Sequence, residues 1–167
     1  IVVFIALRGQ MYVALGMHEK GEEVLRRAVE LEATSPDALY GLGLLQLMKG
    51  HIEESISISR KGHELSPDYV NLIHLTAMAQ LFGGDYPGAE ELYRQLAAKG
   101  SYVPASFSLG VVTADYDAAL GLIALRTGKK AEANQFFERS LQMNHKAIDD
   151  GNELYHYRYN IAAVQAA

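Results

Sequence analysis

The stretch Gly43–Gly50, which reads GLLQLMKG, decides the fold because its pattern returns along the chain at a fixed interval. A small residue followed seven positions later by glycine also occurs 34 residues earlier, 34 residues later and a further 44 residues on: GQMYVALG (9–16), AMAQLFGG (77–84) and GLIALRTG (121–128). The last step equals one 34-residue period with ten residues inserted. Such recurrence predicts an array of repeated supersecondary units.

The repeat divides the chain into units and predicts a single array over residues 1–167. The units cover 2–35, 36–69, 70–103 and 114–147, with an insertion at 104–113 and a terminal helix at 148–167. Because proline and serine cluster in 101–113, this segment is predicted to be an extended surface loop. Each unit contains two helical stretches separated by the glycine, which ends the first helix because glycine readily adopts the left-handed conformation.

The second unit illustrates how the helices are predicted. Residues 38–49 carry leucines at three- and four-residue spacings, as is typical of a helix with a packed face. Residues 51–65 begin with glutamates and end with basic residues, an order of charge that suits the helix dipole. The run Ser55–Ser59 alternates as a strand would, but the helical pattern on both sides favours a helix.

Three columns of the repeat resemble the tetratricopeptide repeat, a helix–turn–helix unit of about 34 residues. Their residues are Gly9, Gly43, Ala77 and Gly121 at the eighth position of the unit, Gly21, Ser55, Ala89 and Ala133 at the twentieth, and Leu25, Ser59, Tyr93 and Phe137 at the twenty-fourth. Small residues let paired helices approach closely, and a larger residue fills the space beside them. The resemblance implies an all-α, right-handed α-solenoid of stacked helix–turn–helix repeats.

The second unit departs from this pattern at Ser59, which is too small to fill the space. Its helix pair is therefore predicted to be looser, or filled instead by Ile56 and Ile58. The family often has tryptophan at the fourth position of its unit, whereas this chain has no tryptophan.

The composition excludes several functions. The chain has 167 residues, of which 49% are hydrophobic, carries a net charge of −5 and contains no cysteine. Thiol catalysis, disulfides and cysteine-ligated zinc are therefore excluded, and the acidic balance argues against nucleic acid as a partner. Since no apolar run reaches the roughly 18 residues that a membrane span needs, no membrane contact is expected and a cytoplasmic location is favoured. The apolar start, 1–7, predicts a fragment of a larger regulatory or assembly protein, cut within a buried helix.

No catalytic or cofactor-binding pattern stands out. The six histidines form no HExxH motif and no cluster with metal-ligand spacing, so neither a metal nor any other cofactor is expected. The glutamate pairs at 22–23, 53–54 and 90–91 lie early in second helices, where they suit the dipole. The tyrosines of 154–159 are interpreted as closing the core, with base stacking as the alternative. We therefore expect no enzymatic activity.

The function that the resemblance implies is protein–protein interaction. The first helices of the units would line a concave groove in which a partner peptide or helix binds. The candidate residues are Gln10, Asp37, Tyr40, Leu44, Asn71, His74, Met78, Asp115 and Leu122. These positions contain no lysine, which disfavours the family's capture of a C-terminal carboxylate. Some leucines on this face, Leu44 among them, could instead belong to the core between repeats.

Two alternatives stay open from the sequence. The array could be a structural scaffold that self-associates as a homodimer through its terminal helices, either by the apolar residues 2–5 of the first helix or by the tyrosine-rich end. It could also hold an unrecognised enzymatic or small-ligand pocket, for which the insertion at 101–113 beside His74 is the place to look.

Overall fold

The structure, a computed structural model, describes residues 1–98, 115–151 and 155–166. In those ranges it contains nine α-helices and no strand, which confirms the all-α prediction. The helices are α1 Val2–Ala14, α2 His18–Leu31, α3 Pro36–Met48, α4 Ile52–Leu65, α5 Val70–Gly83, α6 Tyr86–Ala98, α7 Tyr116–Arg126, α8 Lys130–Asp149 and α9 Tyr155–Gln165. The predicted insertion at 104–113 lies outside the described residues. The helical prediction for Ser55–Ser59 is confirmed, because this run lies inside α4.

The chain forms two compact units, Ile1–Leu92 and Tyr93–Ala167. In the first unit, α1 packs on α2, α3 packs on α4, and α5 adds to α3 and α4. In the unit Tyr93–Ala167, α7 packs on α8, and α9 also packs on α8. Within each unit these contacts join helices that are near neighbours along the chain.

Four glycines end the first helix of each pair in the same way. Gly16, Gly50, Gly84 and Gly128 have φ between 73° and 84°, the left-handed region that favours glycine. The residue after each glycine donates its N–H to the carbonyl five positions earlier, at 2.9 Å from Met17 to Tyr12 and 2.8 Å from Asp85 to Gln80. This is the Schellman hydrogen bond that satisfies a terminal helix carbonyl. The prediction that these glycines stop helices is confirmed.

The eighth-position column forms close contacts between paired helices. A Cβ built on Gly9 would lie 2.6 Å from the Leu25 Cγ, so any side chain there would force Leu25 to shift. A Cβ built on Gly121 would likewise lie too close to the Phe137 ring, in the compact unit Tyr93–Ala167. In the second repeat the space near Gly43 is taken by Leu75 and Ile58 instead of Ser59. This agrees with the expectation that Ile58 helps to fill the pair.

The end of the array differs from the prediction in one respect. The predicted terminal helix over 148–167 starts later, at Tyr155, because α8 continues to Asp149. The chain leaves α8 at Gly151, whose φ is 88° and whose N–H binds the Ile148 carbonyl at 2.9 Å. A fifth left-handed glycine therefore sets this boundary. No helix in the described part of the chain combines the length and apolar character that crossing a bilayer requires.

Candidate functional site

The nine candidate residues fall into two sets. Seven of them lie in the unit Ile1–Leu92, on α1, α3 and α5, where α1 and α5 both contact α3. We call these seven the first-helix face: Gln10, Asp37, Tyr40, Leu44, Asn71, His74 and Met78. Asp115 and Leu122 lie in the other unit, at the start of α7 and within it.

Hydrogen bonds join the polar members of the first-helix face. The Gln10 side-chain amide donates to the Asp37 carbonyl at 2.9 Å, which ties α1 to the first turn of α3. The Tyr69 hydroxyl donates to Asp37 Oδ1 at 2.6 Å, which ties α3 to the start of α5. Asp37 and Asn71 are only half-buried. The polar end of the face therefore spans three consecutive repeats and remains reachable from solvent.

Tyr69 belongs to this polar row of Gln10, Asp37 and Tyr69, and the sequence pattern did not predict it. It lies one residue before α5, outside the helical positions from which the candidates were chosen. Burial and the neighbouring Asp37 carboxylate raise the pKa of Tyr69 well above its usual range, while Asn71 acts in the opposite direction. A tyrosine immediately before a first helix is the sequence signal that could have found it.

The deeper members of the first-helix face are buried. Tyr40, Leu44 and Met78 are each 3% exposed and His74 is 2% exposed. Burial raises the pKa of Tyr40 to about 12 and lowers the pKa of His74 to about 4. These side chains contribute to the core of their unit, as the alternative interpretation of Leu44 anticipated.

Asp115 is held in a buried polar network instead of being offered to a partner. Its Oδ1 accepts the Ala118 N–H at 3.0 Å and so caps α7. Its Oδ2 accepts from Ser140 Oγ at 2.6 Å and Asn144 Nδ2 at 2.7 Å. Asn144 in turn accepts from Asn160 Nδ2 at 3.0 Å. The network links α7, α8 and α9, and its aspartate is only 1% exposed.

Glu22, from the first of the glutamate pairs, is bound by two cations. Lys49 Nζ lies 2.8 Å from Glu22 Oε2, and Arg26 donates to Oε1. These hydrogen bonds, the Lys49 bond first, lower the pKa of Glu22 to about 2. A carboxylate kept ionised in this way joins α2 to the end of α3 and does not act as a general acid.

Neither metal binding nor base stacking gains support. Among the described residues no group of three or more His, Asp or Glu side chains is arranged to hold a metal ion. In the tyrosine-rich stretch, residues 152–154 and the side chains of Tyr155, His156 and Tyr159 lie outside the described part of the chain. The two interpretations of that stretch stay as predictions.

The repeated helix pairs, their glycine turns and the first-helix face define a helical-repeat protein. Tetratricopeptide repeat family models match residues 4–35 and 74–152. The chain belongs to the tetratricopeptide repeat family, whose arrays are protein-interaction modules and generally scaffolds instead of enzymes. Among curated protein sequences none matches it.

Solved structures share the fold at low identity. MamA is 22% identical with a TM-score of 0.69, over 89% of this chain and 81% of that one. The pilF protein of Pseudomonas aeruginosa is 17% identical with a TM-score of 0.69, over 97% and 74%. A tetratricopeptide repeat protein from Parabacteroides merdae is 15% identical with a TM-score of 0.66, over 99% and 65%. These likenesses place the chain among all-α helical-repeat solenoids.

His74 should make stability depend on pH. An unfolded histidine has a pKa near 6.5, whereas burial holds the folded value at about 4. Because the unfolded chain binds the proton first, stability is complete above about pH 6.5 and falls as the pH drops toward 4. Between pH 6 and 5 the wild type should lose about 1 kcal/mol more than His74→Gln, measured by urea denaturation. Met78→Leu, a neighbouring non-titrating change, should keep the wild-type dependence; equal slopes for wild type and His74→Gln would contradict this account.

Removing the Asp115 carboxylate should destabilise the compact unit Tyr93–Ala167. Asp115→Ala removes a helix cap and leaves the buried Ser140 and Asn144 donors without their acceptor, which costs about 2–4 kcal/mol. The matched control is Asp117→Ala, two residues away, whose ion pair with Arg139 at 2.8 Å is partly exposed and contributes less than about 1 kcal/mol. Denaturant unfolding followed by circular dichroism measures both. Similar losses for the two variants would show that the network does not stabilise the unit.

Proposed function

We propose that the chain binds a segment of a partner protein on the first-helix face, as one module of a larger regulatory or assembly protein. The observation that supports this most is the polar row across α1, α3 and α5, in which Gln10, Asp37 and Tyr69 are hydrogen-bonded in sequence. Such a row gives three consecutive repeats a common edge. Repeat arrays commonly use a surface of this kind for binding.

The partner that suits this edge is an extended or helical segment with an apolar face. The half-buried Asp37 and Asn71 side chains can accept from and donate to its backbone. Tyr40, His74 and Met78 are the buried members of the same face and would contact its apolar side chains. Since those three are buried, contact at that depth requires the face to open, so binding there is coupled to a rearrangement.

Asn71→Ala should weaken partner binding without unfolding the chain, because Asn71 is half-buried and reachable from solvent. Peptides selected against the purified protein from a displayed library would be measured by fluorescence anisotropy. We expect the variant to lose about tenfold in affinity, the value of one well-placed hydrogen bond.

The control for this test is Glu64→Ala, an exposed change near the end of α4, away from the first-helix face. It should bind the selected peptides as the wild type does. If Asn71→Ala binds them equally well, the first-helix face is not the binding surface.

A second candidate function, self-association, is supported by α1. Phe4, Met11 and Leu15 are 77%, 64% and 71% exposed, and their spacing of seven and four residues places them on one stripe of the helix. The predicted association surface included Val2 and Ile5, but these pack partly against the buried Ala6, Ala28 and Ala38. A homodimer would therefore use Phe4, Met11 and Leu15, with the exposed Arg8 between them.

Light scattering distinguishes this second candidate. If the stripe joins two copies, the wild type is a dimer at about 100 µM and Phe4→Asp is a monomer, because a carboxylate cannot be buried unpaired. Phe82→Asp alters another exposed phenylalanine, 59% exposed at the end of α5, and should remain dimeric. A monomeric wild type removes the candidate.

A further inference from the structure

A cleft of about 260 Å³ lies between α4, α5 and α6 in the unit Ile1–Leu92. Side chains or backbone from all three helices line it, among them Arg60 on α4, Ile73 and Thr76 on α5, and Gly88, Glu91 and Leu92 on α6.

The cleft and the first-helix face lie on different sides of α5. Successive residues of an α-helix are rotated by about 100°. Ile73 and Thr76 therefore point roughly 160° away from Asn71, His74 and Met78. A ligand in the cleft leaves the first-helix face free.

The preceding repeat shows which side chains the corresponding place holds elsewhere in the array. The residues 34 positions before Thr76 and Gly88 are Leu42 and Glu54. Leu42 is buried, and the Glu54 carboxylate reaches back from α4 toward α2. Thr76 and Gly88 are both smaller than their counterparts, and both line the cleft. The volume that a leucine and a glutamate occupy one repeat earlier is therefore not filled here.

Glycine at position 88 keeps the α6 wall of the cleft free of a side chain. The Gly88 N–H donates to Asp85 Oδ1 at 3.1 Å, and Gln80 Nε2 donates to Asp85 Oδ2 at 2.9 Å. A Cβ built on Gly88 would collide with Asp85 Oδ2 and Gln80 Nε2. A side chain there would thus disturb the cap of α6. Gln80 Oε1 has no hydrogen-bond partner among the described residues, but this atom is buried and is not offered to a ligand.

Arg60 has lost both acidic partners of its counterpart. In the preceding repeat, Arg26 Nη2 lies 2.6 Å from Glu22 Oε1 and 3.8 Å from Glu54 Oε1. One repeat later, the three corresponding residues are Arg60, Ile56 and Gly88. Arg60 is exposed and forms neither an ion pair nor a hydrogen bond with any residue that the structure describes. Its guanidinium is therefore an available cation beside the cleft.

The remaining lining determines the charge and character of a suitable ligand. Glu91 lines the cleft from α6 and already has an interaction of its own. Its negative charge disfavours a ligand with several carboxylates. Ile73 and Leu92 supply apolar surface. Since the charge left to be paired is that of Arg60 alone, one carboxylate attached to an apolar body matches the cleft.

We propose that this cleft binds a small-molecule monocarboxylate with an apolar body. The carboxylate pairs with Arg60 in place of the two missing glutamates, and the apolar body lies against Ile73 and Leu92. The size is suitable, because an apolar cavity of roughly 150 Å³ holds benzene. A cleft of about 260 Å³ accepts a phenyl ring together with a short acid chain.

The probe for this proposal is 3-phenylpropionate, titrated into the isotope-labelled full chain and followed by amide chemical shifts. With about eleven non-hydrogen atoms it should bind with a Kd of a few millimolar, and the largest shifts should come from Thr76, Gly88 and Leu92. The comparison probe is 3-phenylpropanol, which lacks the charge and should bind up to about fivefold more weakly, as expected for one partly exposed ion pair. Equal affinities of acid and alcohol, or no shift of those three amides at about 20 mM acid, would overturn the proposal.

Two pairs of variants test whether Arg60 is the cation. Arg60→Gln should bind the acid and the alcohol equally, whereas Lys61→Gln, at the next and equally exposed residue, should keep the preference for the acid. Ile56→Glu restores a carboxylate one turn before Arg60, as in the preceding repeat, and should abolish the preference. Ile56→Gln, its uncharged match, should keep it. Amide shifts far from position 56 verify that both variants are folded.

A preference for the acid that survives in Arg60→Gln or in Ile56→Glu would show that the carboxylate binds elsewhere and would refute the proposal. Asn71→Ala should bind the probe as the wild type does, because Asn71 lies on the other side of α5. The result is therefore independent of the proposed function.

Discussion

The left-handed glycine between paired helices is the constraint on which the rest of the structure depends. At Gly16, Gly50, Gly84 and Gly128 the chain reverses within two residues, and the Schellman bond closes the first helix. The residue that donates this bond also accepts from the second helix: the Met17 carbonyl binds the Gly21 N–H, and the Lys129 carbonyl binds that of Ala133. One residue therefore ends one helix and begins the next. This short connection fixes which residues of the pair face each other.

The columns of small and large residues have meaning only because the turns are uniform. Gly9 can lie against Leu25, and Gly121 against Phe137, since the same connection brings the same positions together. When one column changes, the consequence is local. Ser59 replaces a filling side chain by a hydrogen bond to Thr76, and Leu75 and Ile58 occupy the space near Gly43. Neighbouring side chains thus compensate for this departure from the repeat.

The first-helix face shows how much of a binding site the helical periodicity of the sequence can predict. Periodicity identified the helices and the side of each helix, and it selected Asp37 and Asn71, which remain reachable. It could not separate them from Tyr40, His74 and Met78, which the tertiary structure buries. Nor could it show that the Asp115 carboxylate already accepts hydrogen bonds from Ser140 and Asn144, which are 25 and 29 residues away in sequence. Helical periodicity gives direction around an axis, whereas burial depends on what packs in that direction.

The sequence by itself determined the repeat, the all-α class, the two helices of each unit and the glycines that stop them, because these depend on local backbone preference and periodic burial. Only the tertiary structure decided that Tyr69 joins the polar row, that α8 extends to Asp149 and that Gln80 is left with an unpaired oxygen. Local rules act over a few residues along the chain. Hydrogen-bond partners and exposure are set by residues distant in sequence, whose positions follow only once the helices have packed.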